Sequence, residues 1–139
     1  DRLLYLPQET TAERARAVIS EVRGLSHAQL GRVLQIISRL GSEPRRLLET
    51  ELPSPGETRK LLLALGVLRS AHLVVLDEPT NHLDLPSITC VEGALREYPG
   101  ALLLVSHDER FLRALTRVRW QLDSPAADAD SHLAVRHTL

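Results

Sequence analysis

The sequence predicts an α/β fold: a parallel sheet carrying helices, preceded by a small helical subdomain. Two observations carry that expectation. The unbroken apolar runs Leu73-Val74-Val75-Leu76 and Ala101 to Val105 flank a helical segment near 86–97, the pattern of doubly buried parallel strands joined by a right-handed crossover helix. Upstream, between Thr10 and Leu68, three stretches each begin on a capping residue and continue with apolar residues at helical spacing or nearly throughout. With 139 residues, 43% hydrophobic and 25% charged, the composition is that of one ordinary globular domain.

The elements follow in order. Thr10 with Glu13 predicts a capping box, after which Ala15, Val18, Ile19 and Val22 mark one helical face until Gly24. Ser26 with Gln29 opens a second helix, with Leu30, Val33, Leu34 and Ile37 on its face and Gly41 at its end. Residues 10–53 therefore read as a helical subdomain. Ser54, Pro55 and Glu57 start a third helix with a cap, a proline at the first helical position and an acid at the third. Its body, Leu61 to Leu68, is apolar nearly all round, as in a buried helix.

In parallel sheets ligands bind beyond the C-terminal ends of the strands. Asp77 and Glu78 close one apolar run, and Ser106 and His107 follow the other, so four polar side chains are expected at one sheet edge. Further on, Val118, Trp120 and Leu122 alternate with Arg117, Arg119 and Gln121, the period of a half-exposed strand. Residues 124–139 lack periodicity and are expected to form a mobile tail.

Charge narrows the function classes. With 17 basic and 18 acidic residues the formal net charge is −1, so no strong field draws the chain to DNA or to anionic lipid. All but one of the basic residues are Arg, and they are scattered. The longest apolar stretches fall well short of the ~20 residues of a membrane span. The single cysteine, Cys90, has apolar neighbours and is expected as a buried thiol in a reducing, cytoplasmic setting. His27, His72, His82, His132 and His137 form no metal-ligand spacing, and no zinc site is expected. No methionine occurs and the first residue is Asp, from which the chain is expected to be a piece of something longer.

Two adjacent carboxylates at the end of an apolar strand suit magnesium-dependent nucleotide hydrolysis. Asp77 would hold magnesium through water, because hard divalent cations prefer oxygen ligands and keep several waters. Glu78 could polarise the attacking water.

The surrounding letters carry a resemblance. Leu76-Asp77-Glu78-Pro79-Thr80-Asn81-His82-Leu83-Asp84 resembles the Walker B strand and D-loop of ABC ATPases, and its Asn-His-Leu-Asp ending resembles the ABC-F family. Ser54-Pro55-Gly56-Glu57 is similar to the ABC signature loop and stands at family spacing before Asp77. Val105-Ser106-His107-Asp108-Glu109-Arg110-Phe111-Leu112 resembles the switch-histidine segment, and Tyr5-Leu6-Pro7-Gln8-Glu9 the Q-loop. The resemblance implies a partial P-loop NTPase (RecA-like) sheet with an ABC helical subdomain: Q-loop segment 1–9, helical subdomain 10–53, and signature helix, Walker B, D-loop and switch histidine within 54–123. It implies that Gln8 contacts magnesium and the attacking water, that Asp77 contacts magnesium, that Glu78 is the catalytic base, that His107 contacts the terminal phosphate of ATP, and that Asp84 belongs to the D-loop.

By the same resemblance Ser54, Gly56, Glu57 and the helix start would complete the ATP site of a second cassette paired head to tail. Pro55 replaces the usual first signature Gly and removes a backbone N–H, and Pro53 stands where Leu is usual. No Gly-Lys-Ser or Gly-Lys-Thr run occurs, and in the family that Walker A loop lies upstream of the Q-loop. The chain alone is therefore expected neither to bind ATP tightly nor to hydrolyse it, and one face and edge of its sheet are expected to be uncovered. Three readings follow: a cassette of an ABC-F protein acting on the ribosome in translation or antibiotic resistance; the ATPase subunit of an ABC transporter; and a truncated, non-catalytic interaction module. The motif letters favour the first.

Overall fold

A computed structural model describes residues 2–81, 83–123 and 132–137. Strand β1 (Leu3–Leu6) precedes helices α1 (Ala12–Arg23), α2 (His27–Arg39), α3 (Pro44–Glu49) and α4 (Pro55–Leu68). Then come β2 (Leu73–Asp77), α5 (Leu85–Arg96), β3 (Ala101–Val105), α6 (Glu109–Leu115), β4 (Val118–Asp123) and β5 (His132–His137). The first three strands form an all-parallel sheet in the order β1-β2-β3, and β4 and β5 form a separate antiparallel pair.

Local chemistry explains the helix boundaries. The first helix is capped by Thr11, whose side chain accepts from the Arg14 N–H at 3.2 Å, so the Thr10–Glu13 box is corrected by one residue. Thr11 holds the extended backbone a cap requires, while the Thr10 hydroxyl is buried without a partner. The buried face Ala15, Val18, Ile19 and Val22 is as expected. The Ser26–Gln29 and Ser54–Glu57 capping boxes are both formed. Gly41 takes a φ of +76°, and the Gly41 and Ser42 N–H groups return to the Ser38 and Ile37 carbonyls, a Schellman closure that glycine adopts without strain.

Helix α4 is the axis of the molecule. Residues Leu61 to Leu65 are all buried, and the helix packs on α1, α2 and β1. One cluster of buried side chains runs from Val18 and Val33 through Leu61 and Leu65 to Val74, Leu76, Val91 and Phe111, joining subdomain and sheet. A Cβ at Gly66 would lie 2.3 Å from Leu4 Cδ2, so this glycine lets α4 approach β1 closely. Gly66→Ala is expected to cost about 1–3 kcal/mol through overpacking, measured as a lower urea midpoint with an unchanged m-value. Arg23 also anchors the subdomain, donating to the carbonyls of Leu48 (2.6 Å) and Thr50 (3.0 Å) at the C-terminal end of α3.

Three features depart from the sequence expectations. Strand β1 was not anticipated, although Leu3-Leu4-Tyr5-Leu6 is an apolar run. Residues 132–137 pair with β4 in place of a mobile tail; Leu133-Ala134-Val135 is a short apolar run between His132 and Arg136, and the antiparallel ladder to β4 gives it backbone partners. The rest of that expected tail, residues 124–131 and 138–139, lies outside the described residues. Cys90 is half-buried, not buried: its Sγ borders the Gly41 turn on one side, which covers it only in part.

The helices cover the sheet face carrying Leu4, Val74 and Leu76. The opposite face is open: Leu3, Tyr5, Leu103 and Val105 are all exposed, and registry places them with Leu73, Val75 and Asp77 on one side. Among the described residues β3 has no partner on its outer edge. A wide groove beside it is lined by Leu102, Leu104, Leu112, Leu115, Val118 and Trp120.

Candidate active site

Because β1, β2 and β3 are parallel and in register, their C-terminal ends share one edge. Gln8 lies two residues beyond β1, Asp77 ends β2 with Glu78 next, and Ser106 and His107 follow β3. Glu78 is the centre. Its N–H donates to the Val105 carbonyl at 2.8 Å, extending the β2–β3 ladder by one residue. Its side chain is buried, with the Ser106 hydroxyl donating to Oε2 at 3.3 Å and His107 Nε2 at 3.7 Å from Oε1. The backbone there has a φ of +46°, a left-handed conformation that costs a non-glycine residue about 1–2 kcal/mol and persists only where surrounding contacts over-determine it.

The neighbours of Glu78 are held by local bonds. Ser106 Oγ accepts from the Asp108 N–H at 3.1 Å, and Asp108 caps α6 by accepting from the Phe111 N–H at 3.0 Å. His107 is thus carried on a fixed corner while its imidazole is fully exposed. Gln8 is exposed and Asp77 half-buried. This donor set fits magnesium as a partial shell only: one strand-end carboxylate with an amide nearby, and no cluster of three acidic, His or Cys groups among the described residues. An ion that keeps water and takes phosphate oxygens requires no more from the protein.

The other sequence-derived residues lie apart. Ser54 is exposed at the start of α4, Glu57 is half-buried, and Gly56 is buried. The Glu57 carboxylate accepts from the Ser54 N–H at 2.8 Å, and Ser54 Oγ accepts from the Glu57 N–H at 3.3 Å. With proline at 55, the capping box and Pro55 leave Gly56 as the first-turn N–H without a side-chain partner. Asp84 caps α5, Oδ1 accepting from the Ser87 N–H at 2.9 Å. His82 lies outside the described residues.

Hydrogen bonding from Ser87, side chain first and backbone second, holds the Asp84 carboxyl below the usual carboxylate range. A carboxyl depressed in the folded state adds stability above its unfolded pKa of about 3.9 and loses it as pH falls through the folded value. Asp84→Ala is therefore expected to lower the thermal midpoint at neutral pH, and the gap from the unmodified chain is expected to narrow as pH falls below the unfolded carboxylate value of about 3.9.

Sequence reasoning missed Arg59. Its guanidinium is buried and donates through Nη1 to the carbonyls of Glu78 (3.1 Å) and Asn81 (2.5 Å), and through Nη2 to the Gln8 carbonyl. The available signal was a charged pair, Arg59-Lys60, inside a helix that is otherwise buried and apolar.

A parallel sheet with paired acids at its C-terminal edge, helices on one face and a helical subdomain fed into a capped central helix defines an ABC-type ATPase domain. Relatives agree. The chain is 40% identical over 88 residues to the uncharacterized ABC transporter ATP-binding protein YfmR of Bacillus subtilis, covering 63% of this chain and 14% of that protein. It is 36% identical over 87 residues to the erythromycin resistance ATP-binding protein MsrA of Staphylococcus epidermidis, covering 63% and 18% respectively. Among solved structures, a model of ribosome-bound archaeal Pelota and ABCE1 superposes with a TM-score of 0.69 at 20% identity, over 97% of this chain and 23% of that one. No protein-family model matches. The curated relatives are ABC-F type ATP-binding proteins, and the chain is part of an ABC ATPase domain. It spans less than a fifth of the length of the two curated relatives named.

Proposed function

We propose that this chain is the catalytic-edge portion of an ATP-hydrolysing cassette in a longer ABC-F protein that works on the ribosome. The observation that carries the reading is Glu78: a buried carboxylate at the C-terminal end of the central strand, approached by Ser106 and His107 from the next. A carboxylate so placed accepts the proton of a water attacking the terminal phosphate of ATP. Bound magnesium would neutralise charge on the phosphates, with Asp77 and Gln8 as the residues that hold it. His107, exposed beside Glu78, would donate to the terminal phosphate.

ATP would be gripped by parts outside this chain: a phosphate loop of the same cassette and the signature face of a second cassette. The open face with Leu3, Tyr5, Leu103 and Val105 and the unpaired β3 edge support the first, since such apolar area in a stable protein is normally covered. The exposed Ser54 supports head-to-tail pairing. Among the described residues no helix is long and apolar enough to cross a membrane, which is compatible with a cytoplasmic protein.

Ribosome action is supported by the antibiotic-resistance relative and the ribosome-bound structural neighbour. The test is co-sedimentation of the full-length protein with ribosomes, using Glu78→Gln to hold the ATP-bound state. ATP-dependent pelleting with ribosomes is expected. Pelleting with membranes alone would favour a transporter subunit, and loss of ATP binding altogether would favour a non-catalytic interaction module.

A further inference from the structure

We propose that Arg59 is a positioning residue that sets the geometry of Glu78 by holding the carbonyls of Gln8, Glu78 and Asn81 together, an inference that rests on the reading of Glu78 as the catalytic base. These carbonyls belong to three segments that the fold brings to one edge: the loop after β1, the strand end itself, and the turn after β2. One planar guanidinium, with five N–H donors in a fixed fork, reaches all three.

The bonding is unusual for a buried charge, which normally pairs with a carboxylate. Among the described residues Arg59 makes no salt bridge, although Asp77 and Glu78 are close enough to attract it. Its donors go to main-chain oxygens and leave both carboxylates without an arginine partner, available for water and a metal ion. At Glu78 the left-handed backbone is fixed from two sides, by its own N–H on Val105 and by its carbonyl, which accepts from the Asn81 N–H at 3.1 Å and from Arg59. Arg59 is the side chain that completes this fixation. It also stands five positions after Ser54, the N-cap of the same helix.

Lys60 supplies the control. It is equally buried on the same helix, but its Nζ donates to Ser42 Oγ (3.2 Å) and Ser87 Oγ (2.8 Å), joining α4 to the subdomain and α5 without touching the sheet edge.

In the full-length protein, Arg59→Met is expected to lower kcat for ATP by roughly 100-fold, the scale of a misplacement of about 1 Å, with KM for ATP within about twofold. Arg59→Lys, which keeps charge and bulk, is expected to fall between the two and decides the matter if Arg59→Met does not fold. Lys60→Met is expected to reduce thermal stability while kcat stays near the unmodified value. Unchanged kcat in both Arg59 variants would overturn the proposal, as would a kcat loss in Lys60→Met equal to that in Arg59→Met. Glu78→Gln run alongside separates the two levels: full turnover there would overturn the reading of Glu78, and this role with it, whereas a dead Glu78→Gln with active Arg59 variants would overturn the Arg59 role alone.

Discussion

Glu78→Gln in the full-length protein is expected to lower ATP turnover by about 100- to 10,000-fold while ATP still binds. The range is that of general-base assistance. The amide preserves shape and can still meet Ser106 and His107, so the backbone at φ +46° and the bonds of Glu78 N–H and carbonyl have no reason to change. What is lost is the ability to accept the water's proton. Single-turnover hydrolysis beside equilibrium ATP binding separates chemistry from affinity. A fall in binding equal to the fall in rate would mean that Glu78 grips nucleotide and does not activate water.

Phe111→Ala is expected to destabilise the chain by about 3–5 kcal/mol, the cost of deleting a buried aromatic ring. Phe111 is fully buried, the largest such side chain, on the short helix α6 that begins two residues after His107. Its N–H also donates to the Asp108 cap. The ring therefore ties the corner bearing Ser106 and His107 to the core, and against a typical total of 5–15 kcal/mol its loss is large. Urea unfolding measures it; a change below about 1 kcal/mol would mean that the α6 contact is not part of the cooperative core.

Much of this was legible in the sequence because the signals were local. Ser26–Gln29, Ser54–Glu57 and Gly41 act within one helical turn, and the structure places caps and stops there. The runs at 73–76 and 101–105 needed only their apolar continuity and the helix between them to be read as parallel strands. Asp77, Glu78, Ser106 and His107 reach one edge because parallel strands align their ends, and that follows from topology. What stayed hidden depended on distant partners. Strand β1 is four residues long and exists because β2 offers it a ladder. Strand β5 has three successive apolar residues, Leu133-Ala134-Val135, without a period of two, and among the described residues its ladder partner is β4. Arg59 reads as an odd charge in a buried helix until the carbonyls of Gln8, Glu78 and Asn81, far away in sequence, are seen around it. The signature loop shows the converse: Ser54 and Glu57 are where expected, yet they are bonded to one another, and Gly56 is buried within this chain.

The most direct test is calorimetric titration of magnesium-ATP into the full-length protein and, separately, into this 139-residue chain. Saturable heat from the full-length protein and none from the isolated chain is the expected result if, as proposed, Asp77, Glu78 and His107 complete the chemistry of a site whose phosphate grip lies elsewhere. Tight binding by the isolated chain would contradict that division of labour, and silence from the full-length protein would contradict the ATPase itself.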